Sequence, residues 1–186
     1  MSTETKQPDI AKIKLQNVRL SYPHLFTPKA NDEGGKPKYS ADLILDKKHH
    51  AETIKKIEKV IERLSLDFFK KKVTLKHCAL HDGNEREDKE GYGDDVMYVV
   101  AKNDQQPAVV DRDPSVTLTA NDRKPYGGCY VNAVVRFFAY DHKTGGKGVS
   151  SSLEAVQFYK DGDSFGAGPI DAEAEFDKIA DEDDGL

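Results

Sequence analysis

Twelve consecutive residues, Cys129 to Tyr140, alternate in character at every step. Side chains on a β-strand point to opposite faces in turn. One face is therefore Cys129, Val131, Ala133, Val135, Phe137 and Ala139, and the other is Tyr130, Asn132, Val134, Arg136, Phe138 and Tyr140. The first set is wholly apolar and mostly small, which suits the inside of a tight barrel. The second interleaves aromatic rings with a guanidinium and an amide.

The rest of the chain supplies partners for such a strand. Lys12–Tyr22 reads as a strand in which Ile13 and Leu15 alternate, and Val18, Leu20 and Tyr22 follow on a shifted phase. The shift near Gln16–Asn17 predicts a bulge. A Pro- and Gly-rich loop leads to a second strand over 39–46, with Tyr39, Ala41, Leu43 and Leu45 on one face. Ile54, Ile57, Ile61, Leu64 and Phe68 recur at spacings of 3 and 4, which predicts an amphipathic helix over about 47–71 with Asp46 as its cap. Short β segments are expected at 73–80, 96–102, 107–111 and 115–120, and a last strand at 149–160. No internal repeat is present. The sum is a mainly β fold: a small barrel, one long amphipathic helix and extra short strands.

Charge divides the chain. It holds 28 Lys+Arg against 33 Asp+Glu, a net −5. The last 26 residues contain ten of those carboxylates and one base, Lys178, so the segment 161–186 carries −9 and residues 1–160 carry +4. The acidic stretch cannot bury enough apolar surface to fold alone, and its like charges extend it. Three regions follow: a flexible lead over 1–11, a body over 12–160 and a disordered acidic tail over 161–186. A polyanionic tail on a mildly basic body points to a larger polyanion, nucleic acid, as ligand. No apolar run approaches a membrane span, and the first residues lack a secretory core. Cys78 and Cys129 stand 51 positions apart and read as reduced thiols of an intracellular protein.

Rings beside cations suit single-stranded nucleic acid, whose bases stack on aromatic faces and whose phosphates attract Arg and Lys. The candidate contacts are Tyr22, Lys36, Lys38, Tyr98, Lys102, Tyr130, Asn132, Arg136, Tyr140 and Lys143. A second reading stands beside this one. Aromatic side chains on strands commonly pack, and Tyr130, Phe138 and Tyr140 would be accommodated beneath a helix or loop. His77, Cys78 and His81 lack the fourth ligand and paired spacing of a zinc site, so no metal and no cofactor is expected. The carboxylates of Asp82–Asp95 lack the spacing of a calcium loop and read as a solvated loop. Two alternatives remain open: a metal-dependent nuclease using those carboxylates, and a protein-only module docking through the aromatic face.

Taken in order, "NVRLSYPHLFTPK", "KYSADLILDKK" with its helix, "YGGCYVNAVVRFFAYD" with "KGVSSSLEAVQ", and "FGAG" running into the acids resemble bacteriophage single-stranded-DNA-binding proteins with an OB-fold. The resemblance spans nearly all of 12–186. It implies a five-stranded barrel, no enzymatic activity, and sequence-independent binding in phage replication, recombination and repair within the cytoplasm of the infected bacterial host. By position it assigns the exposed DNA-face tyrosine to Tyr140 and a basic contact to Lys36. Lysines of that pattern fall on Tyr130, Asn132 and Val134 here, so this face is less basic and more aromatic. The resemblance also implies that the tail (Asp171, Glu173, Glu175, Asp177, Asp181, Glu182, Asp183 and Asp184) competes for the DNA site and recruits phage or host replication and recombination proteins. Family tails end in an aromatic residue, whereas this chain ends in Gly185–Leu186.

Overall fold

The computed structural model describes residues 11–31, 34–166 and 172–180. Within them, eight strands run in chain order: β1 (Lys12–Lys29), β2 (Lys38–Asp46), β3 (His77–Cys78), β4 (Leu80–Asp82), β5 (Val96–Asn103), β6 (Ala108–Val110), β7 (Tyr130–His142) and β8 (Gly146–Lys160). Helix α1 (Ala51–Phe69) lies between β2 and β3, and a single turn, α2 (Ala172–Glu175), lies in the tail. β1 pairs antiparallel with β2 and β7, β2 with β5, and β7 with β8. The circle closes where β5 and β8 meet in parallel at Lys102–Ser152. These five strands form a closed barrel of the OB type. The short β3 and β6 extend it along β8, and β4 extends it along β5.

The alternation that predicted β7 has the expected consequence. Cys129, Val131, Ala133, Val135 and Phe137 are buried, with Ala139 partly covered at the rim. Ile13, Leu15, Val18 and Leu20 of β1 meet them, with Leu43 and Leu45 of β2, Val99 and Ala101 of β5, and Leu153 and Val156 of β8. The bulge lies where the phase shift placed it. The β1–β7 register slips between Leu15 and Val18, and Asn17 adopts a φ of 53°. A left-handed residue there turns the chain so that apolar side chains face inward on both sides of the slip.

Several boundaries differ. β1 continues to Lys29, past the expected end at Tyr22, because its second half pairs with β2 as far as Lys29–Lys38 and buries Leu25. Pro23 is tolerated because the register slips between Ser21 and His24. α1 starts at Ala51, and His50 is its N-cap without a side-chain capping bond; its Nδ1 instead accepts Asp46 N–H at 2.9 Å. Asp46 is instead engaged in the preceding turn, where its Oδ1 accepts the backbone N–H of Lys48 and His49 at 2.9 and 2.8 Å. The helix buries Ile54, Ile57, Val60, Ile61 and Ser65 and packs on β7 and β8, whereas Phe68 lies exposed beyond the contact. The segment 73–80 yields only β3 and the start of β4. The segment 115–120 yields only a bridge, Val110–Thr117.

The body does not end at Lys160. Phe165 N–H donates to Gly127 O at 3.0 Å, Arg19 Nη2 donates to Asp163 O at 2.8 Å, and Tyr126 Oη donates to Asp161 Oδ1 at 2.7 Å. Arg19 also lies 4.2 Å from the Phe165 ring centre. Gly128, at φ 105°, makes this docking possible, since a Cβ there would strike the backbone of Asp163. Residues 161–166 thus form a strap across β1. Residues 1–10 of the expected flexible lead and the tail positions Asp171, Asp181, Glu182, Asp183 and Asp184 lie outside the described residues, whereas Ala11 O accepts Phe137 N–H at 2.9 Å. Glu173, Glu175 and Asp177 are exposed.

Candidate nucleic-acid interface

A cleft of about 840 Å³ opens over the outer surface of β1, β2 and β5. Tyr22, Lys36, Lys38 and Lys102 line it together, which brings four of the sequence-predicted contacts into one place. Its walls carry six cations, Lys29, Lys36, Lys38, Arg86, Lys89 and Lys102, against three carboxylates, Asp42, Glu85 and Asp88. Lys36 and Lys38 sit loosely beside Asp104, at 3.6 and 3.8 Å with most groups half exposed or more, a geometry that holds them weakly.

Arg86 is the organising residue. The loop between β4 and β5 begins with Asp82, whose carboxylate accepts Asn84 N–H at 3.0 Å and Lys47 Nζ at 2.9 Å. The resulting 3₁₀ turn, Gly83–Arg86, aims Arg86 at Asp42 of β2. Tyr92 Oη donates to the same Asp42 Oδ2 at 2.6 Å. Burial pushes the Asp42 carboxyl up, while the Tyr92 hydrogen bond and the Arg86 charge pull it back. Burial works against the Arg86 charge, but Asp42, Tyr98 and Tyr92 together outweigh it and the guanidinium pKa rises. Arg86 lies 4.9 Å from the Tyr98 ring centre and 5.9 Å from that of Tyr22. A fixed cation therefore rests on an aromatic floor, with Tyr22 47% exposed beside it.

A second cleft, of about 540 Å³, shares Glu85, Val100 and Lys102 with the first and continues past β8 to Tyr140 and Lys76. Phe138, Tyr140 and His142 form a row on β7, with ring centres 6.4 and 4.9 Å apart. Gly148 stands opposite Tyr140 in the hairpin and gives its ring room, since a Cβ at 148 would lie 2.5 Å from the phenol. Lys143 is exposed at the tip of the same hairpin. The two clefts make one groove, crossing the barrel seam at Lys102–Ser152, with Tyr22 towards one end and Tyr140 towards the other.

The other predicted contacts are placed elsewhere. Tyr98 is 2% exposed, stacked on His81 at 4.9 Å and overlaid by Arg86, so it is floor rather than a free stacking surface. Asn132 is committed to the fold: its Oδ1 accepts Asn17 N–H at 2.9 Å, and its Nδ2 donates to Gln157 Oε1 at 3.0 Å, which locks the β1 bulge to β7 and β8. Tyr130 lies against Gly162 of the strap, with Lys160 4.7 Å from its ring centre and Arg19 at 5.9 Å. Arg136 faces Glu154 at 3.8 Å. The first half of the two-faced strand thus serves the fold and the strap, and only its end reaches the groove.

Arg86, Lys29, Lys89 and His24 were not anticipated. Arg86 and Lys89 lie in "HDGNEREDKEG", where neighbouring acids hide them from any reading by composition. Lys29 and His24 sit on the half of β1 that its prolines disguise as loop. Among the described residues, no group of three or more His, Cys, Asp or Glu could hold a metal ion, and no helix is long and apolar enough to cross a membrane.

Comparison with known proteins follows the same lines. The family described as Enterobacter phage Enc34, ssDNA-binding protein, matches residues 11–186. The putative protein p50 of Acyrthosiphon pisum secondary endosymbiont phage 1 is 39% identical over 179 residues, covering 91% of this chain and 94% of that one. The single-stranded DNA-binding protein from bacteriophage Enc34, solved in complex with ssDNA, superposes with a TM-score of 0.76 at 30% identity, over 84% of this chain and 90% of that one. Gp2.5, a single-stranded DNA-binding protein encoded by bacteriophage T7, shares the fold, with a TM-score of 0.59 at 17% identity over 91% and 98% of the two chains. A basic, ring-edged groove on an OB barrel and a family match running through the acidic tail lead to one placement: the chain belongs to the Enc34 phage ssDNA-binding protein family.

Proposed function

We propose that this protein binds single-stranded DNA without sequence preference along the Lys36–Arg86–Lys102–Tyr140 groove, in the service of phage DNA replication, recombination or repair. The observation that carries the reading is the continuity of the two clefts through Lys102, which joins a cation-rich half to an aromatic row. Cations along the path neutralise phosphates. Tyr22 and Tyr140 offer ring faces to bases, each stacked base being worth about 1–3 kcal/mol. Ring faces stack on any base, and lysines set against phosphates carry no sequence information, so sequence tolerance follows. The solved complex of the Enc34 relative with ssDNA supports the ligand class.

The acidic tail is the competitor. The strap ends at Gly166, whose N–H donates to Glu90 Oε2 at 2.9 Å, beside Tyr22 and Pro23. The tail therefore starts at the mouth of the cationic cleft, where the carboxylates of 171–184 occupy the groove until DNA displaces them. Once displaced, they are available to basic surfaces of replication and recombination partners.

Fluorescence titration with oligo(dT) tests the groove. Affinity should fall with rising salt as counterions are released. The triple substitution Lys36→Ala, Lys38→Ala and Lys102→Ala should flatten the log–log salt slope by roughly 2, at about 0.7 per phosphate contact on a single strand. Tyr140→Ala should weaken binding at every salt concentration. No affinity at low salt, or equal preference for duplex, sinks the reading.

A further inference from the structure

Two sets of apolar side chains remain on the surface, one on the body and one on the tail. At the end of α1, Leu66 is 39% exposed and Phe68 53%, and Phe68 packs edge-on against Phe69 at 4.9 Å. Beside them, a groove of about 380 Å³ runs between the last turns of α1 and the segment 72–75, floored by Ile61, Leu66, Val73 and Leu75 and rimmed by Lys72 and Glu62. A cavity of about 150 Å³ already admits a benzene ring, so the groove has room for an aromatic and an aliphatic side chain. Lys70, Lys71 and Lys72 follow the helix directly and are exposed. On the tail, Phe176 is 76% exposed and Ile179 91%, more than any other large hydrophobic described. They stand three positions apart, directly after the α2 turn. Glu173, Glu175 and Asp177 bracket Phe176. A tail that needed only charge would have no use for that pair.

We infer that Phe176 and Ile179 of one copy dock in the α1-end groove of a second copy, with the tail carboxylates set against Lys70, Lys71 and Lys72. Charge and apolar surface are complementary in the same order on both sides: acids around a hydrophobic pair, lysines around a hydrophobic slot. The second copy is the occupant because residues 172–180 are all exposed in the single chain and none lines the groove. Such a contact is heterologous. It joins copies head to tail and leaves a free tail and a free groove at the two ends, so it propagates rather than closes. It rests on the tail reading above in one respect: DNA that expels the tail from the cleft frees it to dock on the next copy.

Sedimentation equilibrium of the full chain, over a range of concentrations and with equimolar oligo(dT) of about 8 nucleotides, tests the contact. The apparent mass should climb above that of one 20.7 kDa chain with its oligonucleotide. The climb should be lost in Phe176→Ser/Ile179→Ser and in Leu66→Ser/Phe68→Ser. Mixing those two variants should restore association but stop it at pairs, because each mixture holds one intact tail surface and one intact groove. Should Leu66→Ser/Phe68→Ser fold poorly, Lys70→Glu/Lys71→Glu/Lys72→Glu replaces it as the groove variant. A full chain that stays single, association that survives in either variant, or a mixture that fails to pair overturns the inference. Oligo(dT) titration of the same variants keeps the two readings apart: normal DNA binding without association removes only the docking, whereas absent DNA binding removes the proposed function.

Discussion

Arg86 shows how much one side chain can hold. Its partner Asp42 has a side chain only 8% exposed, and Tyr92 is committed to the same carboxylate. Removing the guanidinium leaves a buried acceptor without its charge partner, a loss of about 1–3 kcal/mol. Urea denaturation of Arg86→Ala should show that loss, and Asp42→Asn in the same chain should recover most of it. A second prediction concerns a residue with no side chain at all. Gly148→Ala should leave stability nearly unchanged, because the phenol it displaces is the swinging end of Tyr140. Oligo(dT) affinity should nevertheless drop, since the ring would leave the wall of the groove. Residues of this kind were illegible in the sequence. Arg86 is surrounded by acids, Gly148 is one of several hairpin glycines, and both act through neighbours 44 and 8 positions away. Tyr140 and Lys36, whose positions the family pattern marks, line the two clefts, whereas Asn132, equally polar and on the same strand, is a brace for the β1 bulge.

Elements were far easier to read than side-chain partners, and β7 explains why. Period-2 alternation is a property of the strand itself, so burial of Val131, Ala133 and Val135 follows from the local pattern. Which stretch of the outer face is covered depends on the strap, which arrives from 30 residues downstream. The bulge at Gln16–Asn17 was legible for the same local reason. The second half of β1 was not, because its prolines are tolerated only where the register with β2 slips. α1 illustrates both sides of this. Its stripe through Ile54, Ile57 and Ile61 is local and holds, while its last turn overshoots the barrel and leaves Phe68 outside. Ile57 is fully buried in the core. Ile57→Ala should therefore cost about 2–5 kcal/mol, seen as a lower midpoint in thermal or urea unfolding with DNA affinity preserved below the transition.

At the scale of the whole molecule, the proposed competition would make the charge split and the barrel one device, joined at the strap. Truncation after Gly166 should raise affinity for oligo(dT), most at low salt, because it removes the competitor and leaves the body intact. Truncation after Lys160 should in addition lower the melting temperature, because Arg19 and Tyr126 lose Asp163, Phe165 and Asp161. A Gly166 truncation that binds more weakly than the full chain would refute the competition. The split itself was legible from composition, while the point of attachment was not: the sequence marks a change of charge at Asp161, and the backbone contacts continue to Gly166.

If the tail competes as proposed, anchoring it beside Tyr22 makes the rivalry independent of dilution. A tethered competitor about ten residues long spans at most roughly 35 Å and meets the groove at a fixed local concentration, in the millimolar range for short flexible links. However scarce the protein, a strand must exceed the same threshold to enter. A fragment that touches only the Tyr22 end or only the Tyr140 end falls below it, whereas a strand long enough to engage both clefts at once passes. Under the proposed competition, a tail held by the six-residue strap would filter by length, admitting exposed single strands and turning away short debris.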